Sequence, residues 1–386
     1  IKLRKVCVSS LGAEVHGMKV AKMIDADFKT QVNFKPHQYE LVYLMGFYFA
    51  WTGDQAQDAG ILRAEMDNLN TPAHKVIHWI GTDIMQFKKG IPQIVQEGYI
   101  KNWNQLGVKH WCECDYTQQE LKELGIDAEI VPLPATLYDM TLLPKEFTVG
   151  VYMPNGWEKF HNIDLIKEVI KEMPDVNFKF FGGTNVPDKK HKKLDPDNLE
   201  WCGVIPNDKM GDFIEKCSCL LRITEHDGFP ISIAEFASAG RSIVFNRKVP
   251  YGIEVGSNKK SVVSGIKKAK NLKAAERLIA SEHYKKVHDL KKFKTRINKE
   301  TEYNPKEYWE DRADSWDKGE GSAPTGIEKA LLKIIKKERP LSIIDVGCGN
   351  GRFVKLLTKS DNIRNGFSPS YLGIDISENL IDICKQ

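Results

Sequence analysis

Residues 219–246 read CLLRITEHDGFPISIAEFASAGRSIVFN, an order of residue types that predicts a buried strand, a turn, a helix and a second buried strand. CLLRI is an apolar run of strand length, and Gly228 permits a tight turn beyond it. Pro230 suits a helix start, where its missing donor costs nothing. The strand delivers 224–227 to a cleft. Backbone N–H groups over Phe229, Pro230, Ile231 and Ser232, at the positive end of the helix, form a candidate phosphate site (Pro230 contributing geometry only). Glu235 lies a little over one turn into the helix, placed to accept hydrogen bonds from the sugar hydroxyls of a bound nucleotide. Asp227 stands eight residues earlier, at the strand end.

The same strand–helix unit recurs on both sides. RKVCVSS (4–10), YELVYLMG (39–46), HKVIHWIG (74–81) and VKHWCEC (108–114) lie in the first third, and DAEIVPLP (127–134) closes it with a Pro-rich hinge. The cycle restarts at EFTVGVYMP (146–154) and runs through VNFKFFGG (176–183) and LEWCGVI (199–205) to RSIVFN (241–246). Alternation of this kind makes an α/β protein with parallel sheets and crossover helices. Two blocks, 1–138 and 139–275, predict two facing doubly wound, Rossmann-like domains with ligands beyond the carboxyl ends of their strands. Residues 276–325 read as a basic helical linker ending in the Gly/Ser/Pro-rich KGEGSAPTG (318–326). Residues 326–386 begin a third Rossmann-like domain; with only two strands it reads as cut short.

Of 386 residues, 41% are hydrophobic and 28% charged, which excludes a disordered tail, a collagen-like fibre and a small disulfide scaffold. The longest apolar run, 40–51, has about half the ~20 residues of a membrane span. The net charge of +4 is too mild for a nucleic-acid partner. Residues 259–299 nevertheless hold 14 Lys/Arg against three acids. That stretch reads as a solvated helix face, with peripheral contact to an anionic membrane as the alternative. The eight cysteines form no C-x-x-C pair and no zinc spacing, so no metal is expected and a reducing cytoplasm fits best. No secretory leader precedes the first strand, and the chain reads as lacking its own start.

The segment Asp227–(seven residues)–Glu235, followed by Phe236, Ala237, Ser238, Ala239 and Gly240, resembles the signature of family-4 retaining glycosyltransferases of the GT-B fold. Asp227 stands where that family usually has Glu. The resemblance spans about residues 1–300. It implies that Asp227 contacts the transferred sugar, that Glu235 holds the ribose, and that UDP- or GDP-linked sugar is the donor. Transfer to a glycan, lipid-linked or other hydroxyl acceptor would retain configuration and need no metal. In the loop MPNGWEKFHNIDLI (153–166) the family's diphosphate Arg is missing; Lys159 supplies one cation and His161 falls nearest the usual Lys. In the first domain, Gly12 matches the family's glycine-bearing loop. His78, in VIHWIGTDIM (76–85), matches the strand end beside the reacting sugar; the alternative is that it packs within its strand.

IIDVGCGNGRF (343–353) and YLGIDIS (371–377) resemble the opening of class I S-adenosylmethionine-dependent methyltransferases. Gly347, Gly349 and Gly351 leave the strand end open to a cofactor, Asp345 precedes them, and Asp375 matches the acid that binds the ribose. The resemblance implies a bifunctional protein of polysaccharide biosynthesis whose methyl transfer requires strands beyond this segment. The competing reading is a glycan-binding scaffold with a decayed transferase site; a non-hydrolysing epimerase of the same fold is a third.

Overall fold

The computed structural model describes residues 5–9, 14–30, 39–47, 69, 73–183, 195–300, 326–346, 348, 351–359 and 369–375. The chain divides into two units, Ile1–Thr301 and Glu302–Gln386.

The first unit holds two six-stranded sheets. One comprises β1 (Lys5–Ser9), β2 (Asp27–Thr30), β3 (Leu41–Met45), β4 (His74–Trp79), β5 (Lys109–Cys112) and β6 (Ala128–Ile130), in the order β2-β1-β3-β4-β5-β6. Its helices are α1 (Glu14–Ile24), α2 (Thr82–Gly90), α3 (Gln93–Gln105) and α4 (Asp115–Glu123). The other comprises β7 (Thr148–Tyr152), β8 (Asn177–Phe181), β9 (Leu199–Gly203), β10 (Cys219–Arg222), β11 (Ser242–Phe245) and β12 (Ile253–Glu254), in the order β12-β11-β10-β7-β8-β9. Its helices are α5 (Ile163–Glu172), α6 (Met210–Glu215), α7 (Ile231–Ser238) and α8 (Lys259–Lys270). Every strand pairing in both sheets is parallel.

Parallel strands are covered on both faces, which is why runs such as Leu41–Met45 and Ser242–Phe245 are buried at every position. Successive residues sort to opposite layers. Val42 and Leu44 join Ile77, Trp79 and Trp103, while Leu41, Tyr43 and Met45 join Val76 and Trp111. In the second sheet the strand order reverses between the parallel neighbours β7 and β10. The crevice beyond the carboxyl ends of two such strands is where this topology binds ligands.

Residues 274–300 correct the expectation of a linker. α9 (Ala274–Val287) packs along α7 and buries Tyr284, whose hydroxyl donates to the Pro250 carbonyl at 2.6 Å. α10 (Leu290–Glu300) returns to the first sheet, where Phe293 and Ile297 join Val20, Tyr43 and Trp111. Lys109 pairs with the buried Glu300 at 2.8 Å. The apolar stripe on these helices is narrow, and the lysines between its members hide it from a charge count. Lys285 of α9 pairs with Asp139, and Lys259 at the start of α8 pairs with Glu172.

The described part of the second unit is α11 (Gly326–Glu338), β13 (Ser342–Val346), α12 (Arg352–Lys359) and β14 (Ser370–Ile374), with β13 and β14 parallel. No described helix is long and apolar enough to cross a membrane.

Candidate active site in the cleft between the sheets

A cleft of about 580 Å³ opens where the carboxyl ends of the two sheets meet. The first sheet and α1 supply Lys19, Met45, Ile80 and Glu113; the second block supplies Tyr152, Phe181, Arg222, Asp227 and Glu235.

One wall of the cleft is built by the loop after β10. Three buried apolar residues seat the strand, and Arg222, its last member, leaves the core and enters the cleft. Its guanidinium lies 4.8 Å over the Tyr152 ring, and its Nε and Nη2 both donate to Asp227 Oδ2 at 2.6 Å. Both contacts fall on one oxygen, so Asp227 Oδ1 remains for another donor. Asn246 brackets Thr224, accepting from its N–H and donating to its carbonyl, and the Glu225 N–H donates to Phe160 O. These ties fix the loop against β11 and against the turn after β7.

Pro230 precedes α7, and no side chain caps the helix. The first intrahelical bond at this end is Ile233 N–H to Pro230 O, at 2.8 Å. The amides of Ile231 and Ser232 therefore start the helix at the cleft, where the dipole favours an anion. The expectation for Phe229 is corrected: its N–H donates to Glu113 Oε2 at 3.1 Å and its ring stacks on His288. Glu235 faces the cleft from the second turn. Burial raises its carboxyl pKa to about 7, with Lys19 pulling the other way.

The first sheet treats its polar groups differently. His78 is fully buried, shares a 2.6 Å hydrogen bond with Tyr43 Oη, and packs edge-on against Trp111. Burial lowers its pKa to about 3, against the opposing pull of the Val131 backbone. The structure thus places His78 inside the layer rather than on the cleft surface. Asp83, also fully buried, accepts from the backbone amides of Phe47, Ile80, Gly81 and Ile84 and so fastens the turn after β4. That turn carries Gly81 at φ +111°, against the backbone of Gly228; a Cβ on Gly81 would come within 1.9 Å of Gly228 N.

Lys159 is exposed and does not line the cleft. His161 is buried beside Tyr152, its pKa lowered to about 3 by burial and by Arg222. Gly12, Gly347 and Gly349 lie outside the described residues. In the second unit, Asp345 accepts from the Tyr371 hydroxyl, and Gly351 takes φ +73° before α12. The register pairs Val346 with Ile374, which puts Asp375 one residue past that pair.

Sequence reasoning missed Arg222, Glu113 and Lys19. Arg222 carried a usable sign, a charge ending an otherwise apolar strand. Glu113 did too, as an acid between two cysteines at a strand end. Lys19 looks like any surface lysine of an amphipathic helix.

No family model and no curated protein sequence matches the chain. Solved structures do. Sucrose-phosphate synthase from Thermosynechococcus elongatus matches with a TM-score of 0.57 at 9% identity, over 77% of this chain and 98% of that one. The Anabaena protein HepE in complex with UDP and glucose matches with a TM-score of 0.55 at 11% identity, over 77% and 98%. A Staphylococcus aureus TarM mutant in complex with fondaparinux, alpha-GlcNAc-glycerol and UDP matches with a TM-score of 0.53 at 16% identity, over 70% of this chain and 56% of that one. The fold is GT-B. The paired Rossmann-like sheets and the cleft between them agree with the architecture expected from the Asp227–Glu235 segment.

Proposed function

We propose that residues 1–300 bind a nucleoside diphosphate sugar in this cleft and transfer the sugar to a hydroxyl acceptor, with retention and without a metal. One observation carries the reading: Asp227 and Glu235 flank the uncapped start of α7 on the cleft wall, with Arg222 beside them. In this reading the amides of Ile231 and Ser232 and the guanidinium of Arg222 receive the diphosphate. Arg222 then takes the place of the cations absent from the loop after β7, while Lys159 stays outside. Glu235 accepts from the ribose hydroxyls, and Asp227 faces the sugar. The anomeric C–O bond to the diphosphate breaks as the acceptor oxygen bonds to that carbon, and the acceptor's proton passes to a phosphate oxygen. Solved GT-B structures that hold UDP, such as those of HepE and TarM, support the choice of donor class. His78 acts in this reading as a packing partner of Tyr43.

For the second unit we propose the opening of an S-adenosylmethionine site. Asp375 would hold the ribose hydroxyls and Asp345 would support the turn. Parallel β13 and β14, ending side by side, fit that use.

The test is titration with UDP and GDP of the wild type, Arg222→Ala and Glu235→Ala, followed by donor hydrolysis. Each substitution is expected to weaken diphosphate binding at least about tenfold, the scale of a lost charged hydrogen bond. A ribose hydroxyl bonds the ionised Glu235 best, so wild-type affinity should rise as pH passes upward through about 7. Glu235→Gln should flatten that rise. Unchanged binding in both alanine variants would refute the site.

A further inference from the structure

Glu113 brings a carboxyl from the first sheet to the cleft. It follows β5 directly, after the fully buried Trp111 and Cys112, and is itself 5% exposed. A carboxyl in such a place is costly unless it is hydrogen-bonded. Glu113 Oε2 accepts the Phe229 N–H at 3.1 Å, across the cleft floor. From the second residue of α4, the Tyr116 hydroxyl donates to the Gly228 carbonyl. That N–H and that carbonyl belong to one peptide unit, the bond between Gly228 and Phe229. Both ends of this unit are therefore held by the opposite sheet. Gly81 packs against the preceding Asp227–Gly228 peptide, and a Cβ on Gly228 would come within 2.1 Å of Ile80 O and 2.7 Å of Glu113 Oε2. The held peptide sits one residue after Asp227 and just before α7. A glycine peptide is otherwise free to rotate.

We propose that Glu113, with Tyr116, is a positioning residue: it clamps the Gly228–Phe229 peptide so that Asp227 and the α7 amides meet the donor in one orientation. This rests on the donor site proposed above. The clamp also ties donor-site order to apposition of the two sheets, since acceptor and donor of the bond come from different blocks. Burial, and then the neighbouring Asp227, push the Glu113 carboxyl well above the usual carboxylate range. The Phe229 amide needs only an acceptor oxygen at the Oε2 position, a role the glutamine side-chain carbonyl can copy.

The full chain is compared as wild type, Glu113→Gln, Glu113→Leu, Glu113→Asp and Tyr116→Phe. Two measurements are made: amide hydrogen exchange over residues 226–233, and titration with UDP and GDP. Leu and Asp remove the acceptor or its reach, so exchange at the Phe229 amide should quicken about tenfold and nucleotide binding weaken about tenfold. Gln should restore both to within about twofold, which a purely packing role would not require. Tyr116→Phe should quicken exchange by a smaller factor. If Leu fails to fold, the folded Asp variant carries the comparison. Wild-type exchange and affinity in the Asp or Leu variant, or failure of a folded Gln variant to rescue, would overturn the clamp. If wild type binds neither nucleotide, the donor-site reading falls and the positioning role with it; the exchange data still decide whether the peptide is held.

Discussion

The two sheets share a parallel, crossover-connected build and end their strands in opposite ways. Beyond β4 the polar groups turn inward. Asp83 collects four backbone amides and His78 bonds Tyr43 inside the aromatic layer. Beyond β10 they turn outward, with Arg222, Asp227 and Glu235 all on the cleft. A carboxylate that spends its oxygens on neighbouring amides stiffens a turn and has little left for a ligand. One held by a single guanidinium keeps an oxygen free. In the proposed reading the first sheet is thus a platform and the second the donor-facing wall, and Glu113 is where the platform reaches across.

The contrast breaks most sharply if the platform can be loosened without consequence. Gly81→Ala forces a side chain onto positive φ and into the Gly228 backbone. We expect a loss of at least about 3 kcal/mol, combining φ strain with steric overlap, read from urea unfolding midpoints. Gly98→Ala, in α3 with open space around it, should instead gain about 0.5–1 kcal/mol.

Acid stability sharpens the comparison next. His78 has its folded pKa lowered to about 3 from 6.5, so its contribution is present above pH 6.5 and lost as pH falls. Between pH 7 and pH 5 this should cost about 2 kcal/mol. His161, His110 and His288 are buried in the same sense. His78→Phe should remove only its own share of that slope. It should also cost about 1–3 kcal/mol at pH 7 by removing the hydrogen bond to Tyr43 Oη. Nucleotide affinity should stay within about twofold; a tenfold loss would move His78 from platform to wall.

The smallest effect concerns the outer loop. Lys159→Ala should leave UDP binding within about twofold, in line with an exposed side chain of little energetic weight. A large loss would show that the loop folds over the donor and that Arg222 is not the principal cation.

Much of this architecture was legible in advance. The strands at 41–45, 74–79, 148–152, 177–181, 219–222 and 242–245 lie within runs whose apolar, β-branched character marks them, and α7 starts after Pro230 as its residues predict. The packing of the 274–300 helices was not legible, because four lysines and Arg296 around Phe293 and Ile297 outweigh two buried residues in any composition count. The site was half legible. Asp227 and Glu235 are fixed by chain distance along one turn and one helix. Arg222, Glu113 and Tyr116 matter through partners 5, 116 and 112 residues away in the chain.

Alone, the sequence determined the alternation of strands and helices, the parallel sheets, and the acidic pair around the start of α7, because local periodicity and backbone constraints act over a few residues. Tertiary structure decided which polar groups face the cleft. His78 and Glu113 both lie at or just past the carboxyl ends of neighbouring strands, yet one is enclosed by Tyr43 and Trp111 and the other meets the Phe229 amide. Burial and hydrogen-bond partners are properties of the assembled layers, and no stretch of chain carries them by itself.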